Sequence, residues 1–203
     1  MPDPGTVFTV GHSTHEFDAF VGLLREHNVS AIADVRSTPA SRFNPQFNRD
    51  ALSSSLGSMG ISYVFLGKEL GARSDDRNCY VDGTVQFDRL AEAPAYQEGL
   101  DRIESGRAEH RIAIMCAERD PLDCHRAILI SESLASRGVP IVHILGGGRL
   151  EDHEQARMRL RELHGLAEED LLHSADELTR QALRRQEGKI AYADDSLREV
   201  MAD

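Results

Sequence analysis

The stretch "IAIMCAERDPLDCHRAILI", residues 112–130, predicts a buried strand, a charged loop and a helix in succession. Its first residues are apolar and include two isoleucines, which is typical of a strand that is covered on both faces. Asp123 suits an N-cap position, so we expect Cys124, His125 and Arg126 in the first turn of the helix. A strand followed by a loop and a helix is the repeating unit of a parallel α/β sheet.

Similar apolar runs occur on both sides of this stretch and alternate with helix-prone segments. The run "TVFTV" (6–10) ends at a glycine, and "AIADV" (31–35) and "SYVFL" (62–66) have the same apolar, β-branched character. A further run, "IVHIL" (141–145), comes after the helix, which Gly138 is expected to end. The alternation predicts an α/β fold with a mostly parallel sheet of about five strands flanked by helices.

The last part of the chain differs from the rest because it is highly charged and helix-prone. It contains "LEDHEQARMRLRELHG" and "SADELTRQALRRQEGK", and Ser174 with Glu177 forms a capping-box pattern at the start of the second segment. We therefore expect two C-terminal helices. The predicted organisation is an α/β core domain over residues 1–149 and a helical extension over residues 150–203, packed on the same domain.

The composition narrows the classes of function. The 203 residues are 40% hydrophobic, as in globular proteins, and no apolar run is long enough to span a membrane. The N-terminal residues do not form a secretory signal, so the expected location is cytoplasmic. The net charge of −11 disfavours binding to duplex nucleic acid, which needs a positive surface, although it permits a local cationic pocket.

Polar residues follow the predicted strands, where the carboxyl ends of a parallel sheet bind ligands. The groups that this rule brings to one edge are Gly11, His12, Ser13, Asp34, Arg36, Cys116 and Glu118. Ser13 has a second interpretation, because Ser13 and Glu16 form a capping-box pattern. His12 could act as a general base or could bond to the nearby backbone. Asp34 and Arg36 could form a structural ion pair.

Three interpretations of the cysteines remain open. A thiol at a helix start beside Arg126 would have a lowered pKa and would be reactive. A metal site could use Cys116, Cys124 and His125, but adjacent Cys124 and His125 on a helix are expected to point to different sides, so we predict no metal ligands. Each cysteine could also simply be buried, since cysteine is among the most buried residue types. Nothing in the sequence around Cys79 would activate it, and we leave it out of the site.

Several segments together resemble a known family, the bacterial and archaeal domain of unknown function 488. The matching segments are "VGHST" (10–14), "ADVRSTPASRFNPQF" (33–47), "YVFLGKELGAR" (63–73), "IMCAERDPLDCHR" (114–126), "VHI" (142–144) and "KIAY" (189–192). One departure is Lys68-Glu69, where the family more often has a glycine. The resemblance does not supply a reaction, but it implies a shared site. The residues of that site would be Gly11, His12, Ser13, Asp34, Arg36, Pro39, Cys116, Glu118, Cys124, His125 and Arg126.

The sequence therefore predicts a small enzyme that binds an anionic ligand, such as a nucleotide or another phosphate-bearing molecule, at the carboxyl edge of the sheet. The predicted catalytic residues are Cys116, Cys124, His12 and Asp34. The predicted ligand-binding residues are Gly11, Ser13, Arg36, Glu118, His125 and Arg126. One alternative is a module that senses a metal, redox state or nucleic acid without turnover, and another is an interaction protein that acts through its C-terminal helices. The sequence identifies no cofactor and no oligomeric state.

Overall fold

The computed structural model describes residues 5–166 and 173–197. The strands are β1 (Val7–Gly11), β2 (Ala31–Asp34), β3 (Ser62–Phe65), β4 (Tyr80–Val81), β5 (Thr84–Val85), β6 (Ile112–Cys116), β7 (Ile141–Ile144) and β8 (Leu150–Asp152). The helices are α1 (Phe17–Glu26), α2 (Arg49–Ser58), α3 (Phe87–Glu92), α4 (Pro94–Gly106), α5 (Glu132–Ser136), α6 (His153–Leu163) and α7 (Ala175–Ile190). A π-helix, Arg126–Ser131, leads directly into α5.

The main sheet has six strands in the order β3-β2-β6-β1-β7-β8. All neighbouring strands are parallel except β7 and β8, which pair antiparallel. The predicted α/β class and mostly parallel sheet are therefore confirmed, and β8 is an additional edge strand that the sequence analysis did not predict. The strands β4 and β5 form a separate hairpin.

The sheet is covered on both faces, so every residue of β1, β2, β6 and β7 is buried and these strands are rich in apolar side chains. In β1, Phe8 and Val10 belong to the core beneath α1 and α2, whereas Val7 belongs to the core on the opposite face. That opposite core includes side chains from α4, α5, α6 and α7, among them Leu100 and Leu160. Both C-terminal helices thus contribute to the main core.

One predicted helix start is wrong in detail. Ser13 does not cap α1, because α1 begins at Phe17 and Ser13 has a positive φ of 47°. Pro94 is the first residue of α4 and separates it from α3. The predicted capping box of Ser174 and Glu177 is confirmed at the start of α7.

The C-terminal extension reaches back across the molecule after α7. The backbone of Asp194 donates to Gly83, and Ala193 forms a β-bridge with Thr84 of the hairpin. Residues 167–172 and 198–203 of the predicted extension lie outside the described residues. None of the helices in the described ranges is long and apolar enough to cross a membrane.

The connections after the central strands place a crevice beside β6. The chain leaves β1 and β2 towards α1 and α2 on one face, whereas it leaves β6 towards the π-helix and α5 on the other. Adjacent parallel strands whose connections part in this way leave an open crevice at their carboxyl ends, where α/β proteins bind ligands. Both flanks of β6 therefore offer such a crevice.

Candidate functional site

The first crevice lies between the carboxyl ends of β2 and β6 and has a volume of about 250 Å³. We call it the cysteine cleft. It is lined by Arg36, Ser37, Thr38, Ala72, Arg73, Cys116, Ala117, Glu118, Asp123, Cys124, His125, Ile190 and Tyr192. Five of the residues predicted from the sequence are among them, which brings thiol, imidazole, carboxyl and guanidinium groups to one small space.

Three of these side chains form a compact cluster. The sulfurs of Cys116 and Cys124 and a ring nitrogen of His125 all lie within 4.8 Å of one another. The Nδ1 of His125 is 3.9 Å from Cys116 Sγ and 3.7 Å from Cys124 Sγ. All three residues are buried, with Cys116 and Cys124 only 4% and 2% exposed. Both cysteines are free thiols.

The backbone around Cys124 explains why the cluster forms. Pro121–Asp123 is a short 3-10 turn, and Cys124 that follows it is extended, with φ −143° and ψ 141°. Asp123 is therefore not the N-cap that the sequence analysis predicted. Cys124 itself is the N-cap, since its carbonyl oxygen accepts hydrogen bonds from the N–H groups of Ala127 and Ile128. Its sulfur accepts the N–H of Arg126 at 3.4 Å.

This extended residue changes the direction of the neighbouring side chains. Cys124 and His125 would diverge on a regular helix, as the sequence analysis argued, but here only His125 has helical backbone angles. The two side chains therefore converge on Cys116, which is the last residue of β6 and is in register with Gly11 of β1.

The two thiols of the cluster differ in pKa. Burial opposes ionisation of Cys124, but a hydrogen bond with Cys116 and the positive charges of Arg126 and His125 hold the pKa of Cys124 well below its ordinary value. The same hydrogen bond, together with burial, raises the pKa of Cys116 well above its ordinary value. Burial would lower the pKa of His125, but the charge of Cys124 raises it. Cys124 is thus the more acidic of the two thiols, and the imidazole of His125 lies beside both sulfurs.

Glu118 lies at the mouth of the cysteine cleft. Desolvation of its carboxyl group and the neighbouring charge of Cys124 raise the pKa of Glu118 above its ordinary range. The carboxyl group interacts with both thiols, although the residue as a whole keeps contact with solvent. A carboxyl group with a raised pKa beside a reactive centre is suited to donate and accept protons.

Arg126 and Gly11 pack against the backbone of the loop that follows β6 and do not line the cysteine cleft. Arg126 is fully buried and its guanidinium donates to the carbonyl oxygens of Glu118 at 2.8 Å and of Arg119 at 3.2 Å. A Cβ atom on Gly11 would lie 1.8 Å from the same Glu118 oxygen, so only glycine permits this close packing. Neither residue lines the clefts described here, and their predicted part in ligand binding stays a prediction.

Asp34 holds Arg36 in place through a buried ion pair. Arg36 Nε donates to Asp34 at 2.9 Å and its Nη2 at 2.6 Å, and the hydroxyl of Tyr63 also donates to Asp34 at 2.6 Å. The Nη2 of Arg36 reaches the carbonyl of Phe47 as well. The ion pair that the sequence analysis weighed as an alternative is present, and it fixes a cation on the wall of the cleft.

His12 completes the support of Arg36. Its Nδ1 donates to the carbonyl of Ser13 at 2.9 Å, which leaves Nε2 to accept from Arg36 Nη1 at 3.1 Å. Burial, together with the charge of Arg36, lowers the pKa of His12 to about 4. His12 is therefore neutral near pH 7 and both of its nitrogens have partners. This geometry fits the backbone-bonding interpretation better than a general base.

A second crevice, the histidine cleft, lies on the other side of the β6 loop and has a volume of about 400 Å³. It is lined by His12, Ser13, Thr14, Arg36, Thr38, Ala40, Ser41, Asn44, Ala117, Glu118 and Arg119. Arg36 and Glu118 lie between the two clefts and belong to both. Ser13 is thus placed at the site, although it is not a helix cap.

Two residues from distant parts of the chain also line the site and were not among the predicted residues. Arg73 follows β3 and Tyr192 follows α7, and both line the cysteine cleft. The Arg73 guanidinium lies 4.5 Å from the centre of the Tyr192 ring. The segments "YVFLGKELGAR" and "KIAY" contain or adjoin these residues and could have indicated them. His143 is buried in the core, where its two ring nitrogens are hydrogen-bonded to Thr9 and His153.

A comparison with protein families finds one match to the chain. A model of the family described as domain of unknown function DUF488 matches residues 16–132, which is more than half of the 203 residues. The matched span includes Asp34, Arg36 and the whole cysteine cluster, and it ends before Tyr192. Comparisons with curated proteins and with solved structures find no match.

Proposed function

The chain belongs to the family described as domain of unknown function DUF488, and we propose that it is an enzyme that acts on a small anionic substrate in the cysteine cleft. The observation that carries the proposal is the meeting of Cys116, Cys124, His125 and Glu118 with Arg36 on the walls of one cleft. Nucleophilic and acid-base groups beside a fixed cation form the arrangement that reactions of anionic substrates need.

The cationic side of the cleft supports the choice of an anionic substrate. Arg36 is held rigidly by Asp34 and His12, so little freedom is lost when it binds a ligand. Arg73 adds a second guanidinium, and guanidinium groups match the geometry of phosphate and carboxylate. A volume of about 250 Å³ suits a phosphate-bearing group, and the adjoining histidine cleft would accept the rest of a larger molecule.

The reactive side of the cleft supports turnover rather than binding alone. A site for simple anion capture needs cations and amide groups, whereas this cleft also contains two thiols, an imidazole and a carboxyl group. In this proposal Cys124 and Cys116 form the reactive centre, Glu118 transfers protons and Arg36 orients the substrate. A cytoplasmic location remains a prediction.

A sensing module is the second candidate. The sulfurs of Cys116 and Cys124 lie within 4.8 Å, so a modest movement would join them in a disulfide. An interaction role for the C-terminal helices has less support, because their apolar residues Leu160 and Ala182 are already buried in the core.

The test uses reduced, chelator-treated protein, iodoacetamide as the thiol probe, and a panel of phosphate, pyrophosphate, nucleoside monophosphates and sugar phosphates. We expect at least one of these anions to slow alkylation of Cys124, and Arg73→Ala to weaken that protection. Arg49→Ala is the matched control, because Arg49 also lies over an aromatic ring but does not line the cysteine cleft. The absence of protection by every anion contradicts the proposed substrate class.

Turnover is tested on the anions that protect. Mass spectrometry of each compound after incubation with the untreated protein should show conversion of at least one, and Glu118→Gln should abolish that conversion while leaving protection in place. Protection without conversion of any compound contradicts the enzyme and favours the sensing module.

A further inference from the structure

We infer that Cys116, Cys124 and His125 bind one zinc-like transition-metal ion, with a coordination position open to the cysteine cleft. The inference deepens the proposed function by naming the cofactor of the same site, and only the catalytic use of the metal rests on that function. The binding itself rests on the geometry of the three donor atoms.

The distances between the donor atoms fit a tetrahedral ion. With bonds of about 2.3 Å to sulfur and about 2.05 Å to nitrogen, a tetrahedral angle separates sulfur from nitrogen by about 3.6 Å and sulfur from sulfur by about 3.8 Å. The Nδ1 of His125 lies 3.7 Å from Cys124 Sγ and 3.9 Å from Cys116 Sγ. The two sulfurs themselves lie within 4.8 Å of each other. Only small shifts would bring all three donors into contact with one ion.

The kinds of donor atom select the kind of metal. Two thiolates and one imidazole are soft ligands that favour zinc and similar ions over magnesium or calcium, which prefer oxygen. Within residues 5–166 and 173–197, a set of donor atoms of this kind is formed by Cys116, Cys124 and His125. Three protein ligands leave one tetrahedral position free, as in catalytic zinc sites, whereas structural sites use four.

The surroundings of the cluster fix the donors before any ion binds. Cys116 ends a strand that is paired on both sides, and Cys124 is held by the backbone that starts the π-helix. The N–H of Arg126 points to Cys124 Sγ at 3.4 Å, and hydrogen bonds of this kind support metal-bound thiolates. Cys116, Cys124 and His125 all line the cysteine cleft, and the Glu118 carboxyl group interacts with both thiols there, so a bound ion would have a proton-transfer group nearby.

Metal content tests the inference directly. The full chain without a histidine tag is purified in the presence of a non-thiol reductant, and its metal is measured by mass spectrometry before and after reconstitution with zinc. We expect about one ion per chain, as in a single tetrahedral site, and a loss of that ion in both Cys116→Ser and Cys124→Ser. Cys79→Ala is the matched control, because Cys79 is a buried cysteine outside the cluster, and it should retain the ion.

Two further measurements keep the test decisive if a serine variant does not fold. Cobalt is added to the wild-type apoprotein, and absorption from thiolate-to-metal charge transfer is expected at one equivalent. Zinc should also raise the thermal unfolding temperature of the wild-type apoprotein. A reduced protein that holds no zinc and shows no cobalt–thiolate absorption overturns the inference, as does retention of the ion by folded Cys124→Ser.

The two proposals can fail separately. A protein that binds zinc through these residues but converts no anion retains the metal site and loses the proposed enzyme. A protein that converts a substrate equally well after removal of its metal retains the enzyme and loses the catalytic use of the ion.

Discussion

Replacing Gly11 by alanine should distort the cysteine loop and destabilise the fold. The added Cβ would lie 1.8 Å from the carbonyl oxygen of Glu118 and 2.9 Å from its carbonyl carbon. The loop would have to retreat by more than about 1 Å, and overpacking of this kind typically costs about 1–3 kcal/mol. We expect a loss of about 3 kcal/mol, because the obstacle is backbone and because Arg126 donates a hydrogen bond to the same carbonyl oxygen.

Urea denaturation followed by circular dichroism measures this loss, and Gly22→Ala is its matched control. Gly22 lies within α1 and a Cβ there would meet no atom within 4 Å, so alanine should stabilise the protein by about 0.5–1 kcal/mol. A Gly11→Ala protein whose free energy of unfolding lies within about 0.5 kcal/mol of wild type would refute the packing argument. Glycine at this position would then need another explanation.

Other parts of the molecule give three further predictions. The pKa of His12 is lowered to about 4 in the folded protein, so between pH 6.5 and 4 this histidine takes up a proton only in the unfolded chain. Wild type should therefore lose about 3 kcal/mol of stability over that range through His12. His12→Gln should lack this part of the loss in denaturation at both pH values. Asp34→Asn should destabilise by about 3–5 kcal/mol, because Arg36 would remain buried without its counter-ion. Ser174→Ala should lower the free energy of unfolding by about 1 kcal/mol, because the capping box with Glu177 is lost. An unchanged thermal unfolding temperature would contradict this prediction.

Hydrophobic patterning was sufficient to predict the main features of the fold. The five predicted strands are all present within about a residue of their expected positions. Four of them, β1, β2, β6 and β7, are buried on both faces and leave a strong apolar signal, whereas β3 is only partly buried. The edge strand β8 was missed because "LED" has only three residues and one apolar side chain. Its place depends on pairing with β7, and a tertiary contact of this kind leaves no pattern in the sequence.

Several residues that line the cysteine cleft were expected at this edge of the sheet, but their geometry was not. The rule for carboxyl ends brought Arg36, Cys116 and Glu118 together correctly. The convergence of Cys124 and His125 could not be predicted, because it depends on the extended backbone that follows the Pro121 turn. The same backbone makes Cys124 the N-cap of the π-helix. Asp123 was predicted instead because aspartate is a far more common N-cap residue than cysteine.

Local sequence patterns also could not predict the lining residues that come from distant parts of the chain. Tyr192 lines the cysteine cleft only because the chain after α7 returns to the hairpin β4–β5 and bridges to Thr84. Arg73 faces the same space because it packs on that ring. Contacts between segments more than 100 residues apart follow from the completed fold rather than from local periodicity.

X-ray absorption at the zinc edge of the reconstituted, untagged protein is the most direct test of the proposed reactive centre. It reports the donor atoms around the ion and their distances without assuming a substrate. We expect two sulfur ligands at about 2.3 Å and one nitrogen ligand at about 2.0–2.1 Å, from Cys116, Cys124 and His125, together with one lighter ligand from the cleft. A spectrum with only nitrogen and oxygen neighbours, or four sulfurs, would contradict it.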